Sequence, residues 1–168
     1  MHWLYHGAGR FFREEWHRYA AGGGNAEDLV AAYDELLNAH PDPEVRARAA
    51  RDWCAWEDAV NSLEEGWTPS EKYTDPRFRM TFARLCAHYF SHAAWLEDRP
   101  LLRDAARLAG IPGVLIHGRF DIQGPLEEAW LLHQAWPGSE LYLVRTGHQG
   151  GDEMTERMMA ALDRFART

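Results

Sequence analysis

No stretch of this sequence approaches the ~20 consecutive apolar residues that a membrane-spanning helix needs. The opening Met1-His2-Trp3-Leu4-Tyr5-His6-Gly7 has no basic segment followed by an apolar core, so no secretory signal is read there. Cysteine is scarce. Cys54 and Cys86 are too few for a disulfide framework, and without an export signal they point to a reducing compartment, the cytoplasm. Lysine is scarcer still, with Lys72 alone among eighteen basic residues. Eighteen basic against twenty-six acidic residues leave a net charge of −8, which repels phosphate backbones and argues against nucleic acid as a partner. Gly22-Gly23-Gly24 is no phosphate loop, because no strand precedes it and no Gly-Lys-Ser/Thr follows. No cofactor is expected. Nor is a metal site: His2 and His6 are four apart but lack a third ligand nearby, and Cys86 and His88 would point to different faces of a helix.

The 168 residues, 46% hydrophobic and 26% charged, have the make-up of one globular domain, or of one domain with an appendage. Eight tryptophans call for large covered aromatic faces. From the start to about Gly110 the pattern is helical. Phe12, Trp16 and Tyr19 are spaced for a first helix that runs out into the triple glycine. Asn25 is placed to cap a second, with the stripe Leu29, Val30, Tyr33, Leu36 and Leu37. Asp42-Pro43 and Asp75-Pro76 are strong helix starts. The helix after Pro43 is expected to run to Glu65 and stop at Gly66, with the apolar stripe Val45, Ala49, Trp53, Trp56, Val60 and Leu63. Arg99-Pro100 opens another that ends at Gly110.

After Pro112 the texture changes. Residues 113–117 read as a strand buried on both faces, 125–136 as a helix, 140–144 as a second strand and 154–165 as a closing helix. That order makes a βαβ unit with two parallel strands. The fold class is therefore α/β, with a mostly helical domain over 1–110 and a βαβα portion over 111–168. Two parallel strands alone make a poor sheet, so further strands are expected from elsewhere.

Ligands in open α/β sheets gather beyond the carboxyl ends of the strands. Asp121 follows the first strand and His148 the second, and adjacent strands lie about 5 Å apart. The two side chains are therefore candidates for the acid and base of a Ser-Asp-His triad. The competing reading is an aspartate that caps the next helix and a histidine that merely faces solvent.

The segment Ile111-Pro112-Gly113-Val114-Leu115-Ile116-His117-Gly118-Arg119-Phe120-Asp121 resembles the acid-bearing segment of the proline iminopeptidases, serine peptidases of the α/β-hydrolase fold. Ala129-Trp130, His133, Ala135-Trp136-Pro137 and Gly147-His148 continue the likeness. So do Trp53 to Glu57 with Ser62-Leu63, Ala83-Arg84 with His88-Tyr89-Phe90, and Asp163-Arg164-Phe165-Ala166. The resemblance implies that residues 1–110 form the cap and 111–168 the last part of the catalytic domain. It implies Asp121 and His148 as triad members. It also implies Glu57 as the carboxylate that holds the free amine of a peptide's N-terminal proline. Read from the residues alone, Glu57 could equally pair with one of the seventeen arginines. The family's second amine-binding glutamate is replaced here by Cys86, which weakens that recognition or makes position 86 a small core residue.

No Gly-x-Ser-x-Gly occurs, and Ser62, Ser70, Ser91 and Ser139 lie in no strand–turn–helix context. In the family the nucleophile lies ahead of the cap, so this chain alone is expected to be inactive. A separate N-terminal half could supply the serine. A split gene, a degenerate remnant and a chain cut short all fit. The alternative function is a non-catalytic helical module that binds a peptide or protein, or pairs as a homodimer.

Overall fold

The computed structural model describes residues 3–167. These fall into two compact units that are not contiguous in sequence. One comprises residues up to Val60 together with Trp67–Leu96, and the other Asn61–Gly66 together with residues from Glu97 onward. No helix among the described residues is long and apolar enough to cross a membrane.

The first unit is helical. A π-helical turn, Trp3–Gly7, leads into α1 (Arg13–Gly22), α2 (Leu29–Asp34), a second π-helical turn (Glu35–Ala39), α3 (Pro43–Ala59) and α4 (Pro76–Ser91). The two Asp-Pro starts hold as read. Asp42 accepts from Glu44 N at 2.8 Å and Asp75 from Arg77 N at 2.9 Å, each cap worth about 1 kcal/mol. The cap of α2 is Asp28, which accepts from Ala31 N, and not Asn25. Asn25 instead ends the preceding turn, with φ of 54° and its N–H on Ala20 O at 2.8 Å. Its short side chain tolerates that left-handed backbone.

The core of this unit is aromatic. Tyr5, Tyr19, Tyr33, Trp53 and Trp56 are all at most 1% exposed. Tyr19 and Tyr33 stack with centroids 4.6 Å apart, Tyr5 meets Trp53 at 5.0 Å, and Trp53 meets Tyr33 edge-on at 5.6 Å. Such pairs add about 0.5–1.5 kcal/mol beyond the area they bury. The Tyr33 hydroxyl is satisfied by Tyr19 O at 2.8 Å.

α3 is shorter than its sequence pattern. It ends at Ala59, not Glu65, and residues 61–66 turn away to join the second unit. Asn and Ser compete poorly for a helix interior, and tertiary hydrogen bonds complete the exit: Leu63 N donates to Phe120 O at 3.2 Å. Leu63, expected in the buried stripe, is 48% exposed in consequence.

The second unit holds α5 (Pro100–Asp104), β1 (Gly113–Gly118), α6 (Leu126–Ala135), β2 (Ser139–Val144) and α7 (Asp152–Phe165). The strands pair in parallel, from Gly113 opposite Ser139 to Gly118 opposite Val144. Side chains alternate across a strand. α7 lies on the face of Glu140 and Tyr142, through an Arg164–Glu140 contact of 2.9 Å and Arg157 over the Tyr142 ring. Trp136, just past α6, lies over Gly113 on the opposite face. Both faces thus have a helix, yet every residue between the ends of β1 is only half-buried, so full burial on both faces does not hold. The cause is the sheet's width: two strands are all that the described residues supply. The helix predicted to run from Pro100 to Gly110 is one α turn followed by a 3₁₀ segment, Ala105–Leu108.

Trp53 is central to the aromatic core and fully buried. Trp53→Ala should cost about 3–5 kcal/mol of unfolding free energy, read from the shift of the urea midpoint.

Candidate active site

The loops that leave β1 and β2 run side by side because hydrogen bonding between the strands continues past their ends. Arg119 N donates to Val144 O at 2.7 Å, and Phe120 N to Thr146 O at 3.0 Å. This needs a residue without a side chain at two points. A Cβ on Gly118 would meet Gly147 O at 2.6 Å, and one on Gly147 would run into the side chain of Ser62 and reach Asn61 O at 2.9 Å. The segment 61–66 then closes over the β2 exit. His148 N donates to Asn61 O at 3.0 Å. The Glu64 carboxylate accepts from Gly147 N at 2.8 Å and from the Ser62 hydroxyl at 3.0 Å.

Within this frame Asp121 and His148 meet. Nδ1 of His148 lies 3.0 Å from Oδ2 of Asp121. The other carboxylate oxygen, Oδ1, accepts from Gly124 N at 2.8 Å, so the carboxylate is gripped from two sides. The Asp121 side chain is 9% exposed and that of His148 49%. A sheltered carboxylate behind an accessible imidazole is the order in which an acid orients a base. An ionised Asp121 selects the tautomer with hydrogen on Nδ1, which leaves Nε2 as the basic nitrogen. Asp121 also organises the turn at Gly124, although it does not cap α6, which begins after Pro125 without a side-chain cap.

Asn61, Ser62 and Glu64 were not singled out for this neighbourhood by the sequence. The signal was present in Asn61-Ser62, two poor helix residues in mid-pattern, but the apolar Leu63 masked it. Ser62 packs against this loop at Gly147. Its hydroxyl is tied to Glu64, and it lies in a turn after α3.

In the first unit Glu57 is 4% exposed. The Tyr5 hydroxyl donates to its Oε1 at 2.7 Å. Burial, and then the Glu57 charge, holds the Tyr5 phenol protonated well above its usual range. Burial, followed by Glu57, pushes the half-buried Cys86 thiol up to about 12. Cys54 is pushed to about 12 by burial and then Glu57, with Arg79 opposing. A buried carboxylate thus sits amid aromatic rings and neutral thiols, an environment that rewards a cationic partner. Position 86 is within the electrostatic reach of Glu57 but brings no second charge. Of the histidine pair weighed earlier as ligands, His2 lies outside the described residues and His6 belongs to the first π-helical turn.

The described residues form a mostly helical chain with a two-stranded parallel sheet, compatible with part of an α/β fold, in which the strands present a carboxylate–imidazole pair at their carboxyl ends and the helical unit holds a buried glutamate. No family model matches the chain. A probable proline iminopeptidase of Streptomyces coelicolor is 42% identical over 172 residues, which cover 98% of this chain and 52% of that protein. Proline iminopeptidases of Xylella fastidiosa strain Temecula1 and of Xanthomonas citri are each 37% identical, over 98% and 99% of this chain and 54% and 55% of their own lengths. The chain is a homologue of the proline iminopeptidases, and it spans about half the length of the curated relatives it matches.

Gly147→Ala should destabilise the second unit by about 1–3 kcal/mol through overpacking against Ser62, with a displaced His148 ring signal in NMR spectra and a lower melting temperature. Both thiols have folded values raised from an ordinary 9.0 to about 12. Their contribution is therefore complete below pH 9 and is lost as pH rises toward 12, since only the unfolded chain ionises in that window. Urea midpoints should fall between pH 9 and 12, and Cys54→Ala/Cys86→Ala should flatten that fall.

Proposed function

We propose that this chain is the C-terminal part of a proline-iminopeptidase-like serine hydrolase of the α/β-hydrolase fold. Residues 1–110 serve as its cap and 111–168 as the end of its catalytic domain. The complete assembly would release N-terminal proline from peptides. The observation that carries this reading is the 3.0 Å Asp121–His148 contact beyond the carboxyl ends of two parallel strands. Homology to proline iminopeptidases along nearly the whole chain supports it.

The nucleophilic serine and the oxyanion hole come from outside these 168 residues. The serine Oγ attacks the proline carbonyl carbon, and its proton passes to His148 Nε2. Asp121 holds the imidazole and stabilises the imidazolium. His148 then returns the proton to the departing amine, and water enters by the reverse path to release proline. Glu57 takes the ammonium of the N-terminal proline. With Cys86 in place of a second carboxylate, one anion carries that contact.

The test is reconstitution. The 168-residue chain by itself should not hydrolyse proline 4-nitroanilide. Mixed with the N-terminal half of a homologous proline iminopeptidase, it should gain turnover and thermal stability. In that assembly His148→Ala should lower kcat at least about ten-thousandfold. Glu57→Gln should lower kcat/KM by roughly ten- to a hundredfold, the worth of a charge-assisted hydrogen bond. Turnover by the lone chain, or a His148→Ala assembly as active as the parent, would refute the reading. An assembly that forms but never turns over would favour a non-catalytic binding module.

A further inference from the structure

The structure assigns a second, independent site in the helical unit: we propose that Asp34, His88 and His92 bind a borderline divalent transition ion of the Zn²⁺ class. Asp34 ends α2, His88 lies in the last turn of α4, which packs against α2, and His92 is the residue that follows the end of α4. One ligand atom from each lies within 4.8 Å of the other two. Ligands bound tetrahedrally at about 2.0–2.2 Å stand roughly 3.3–3.5 Å apart. The set therefore closes around an ion by about an ångström of movement. His88 and His92 are exposed and have the rotameric freedom to supply it.

The outer hydrogen bonds suit ligation. The Ser91 hydroxyl donates to Asp34 Oδ2 at 2.9 Å, and Asn38 Nδ2 to Oδ1 at 2.7 Å. The carboxylate is thus oriented, and each oxygen keeps a lone pair. His92 Nδ1 lies 2.8 Å from the carbonyl oxygen of His88. A donor there fixes the tautomer and leaves Nε2 as the ligating nitrogen, as backbone carbonyls do for metal-bound histidines. The Trp95 ring stacks on His92 at 5.1 Å and meets His88 edge-on at 5.6 Å, shielding the imidazoles on one side. The donors, two imidazoles and one carboxylate, suit zinc, nickel or copper and not calcium or magnesium. Three protein ligands leave a fourth position for water. Without an ion the same groups make an ordinary contact, His88 Nδ1 standing 3.8 Å from Asp34 Oδ1. The site does not depend on the peptidase reading, since it shares no residue with Asp121, His148 or Glu57.

The experiment is a calorimetric titration of the EDTA-stripped 168-residue chain with ZnCl₂. The expected result is one saturable equivalent and a rise in melting temperature. Ser91→Ala, an outer-shell change, should weaken binding about tenfold, and His88→Gln/His92→Gln by more than a hundredfold. His92→Gln alone, at an exposed position that should not disturb folding, should also lose most of the affinity. Cu²⁺ should quench tryptophan emission in the parent, and less so in Trp95→Phe. Zinc binding of unchanged stoichiometry and affinity in His92→Gln, or no saturable binding by the parent, would overturn the proposal.

Discussion

Backbone closeness at the exits of the two strands brings Asp121 and His148 together. Gly118 and Gly147 allow the chain after β1 to lie directly against the chain after β2, and the ladder extends two hydrogen bonds beyond the strands. Asp121 and His148 sit on those extensions, and their contact is set by main-chain geometry before either side chain chooses a rotamer. The segment 61–66 adds a third strip of backbone and holds the residue before His148 through Glu64. A histidine on a free loop would lose entropy on every approach to its partner; here much of that cost is met in folding.

Electrostatics divides the two units. In the helical unit, burial dominates: phenols and thiols near Glu57 are held in an aromatic interior where their neutral forms are favoured. In the βαβ unit, the Arg164–Glu140 ion pair of α7 with β2 is exposed and contributes little to stability. Its half-covered sheet suits a structure whose remaining strands lie elsewhere. The relatives' greater length accords with that.

Much of the architecture was legible in the sequence because its signals were local. The Asp-Pro starts of α3 and α4, the apolar run of β1 and the Pro137-Gly138 break each act within a few residues. The strand–helix–strand order then implied parallel pairing and, with it, the meeting of Asp121 and His148. What escaped was tertiary. The end of α3 is decided by partners more than fifty residues away, and Leu63 fitted the helical period while belonging to another unit. Glu57 was reached through resemblance, yet its hydrogen bond from Tyr5 spans 52 positions and leaves no local trace. His92 and Asp34 were not weighed as ligands from the sequence, because Asp34 meets His88 and His92 only through helix packing.

The discontinuous make-up of the second unit has a consequence for how the chain acquires its shape. The Glu64–Gly147 hydrogen bond closes a loop of 83 positions, and the chain passes between the units at Val60, Gly66 and Leu96. Neither unit can be excised as a single stretch. A piece starting at Glu97 would keep the sheet and forfeit the strip that seats the imidazole. During synthesis residues 61–66 would have to wait for the Gly147–His148 segment that they hold. Long-range closure of this kind slows folding, so the rim forms late, once residues 61–66 and the exit of β2 have both been made.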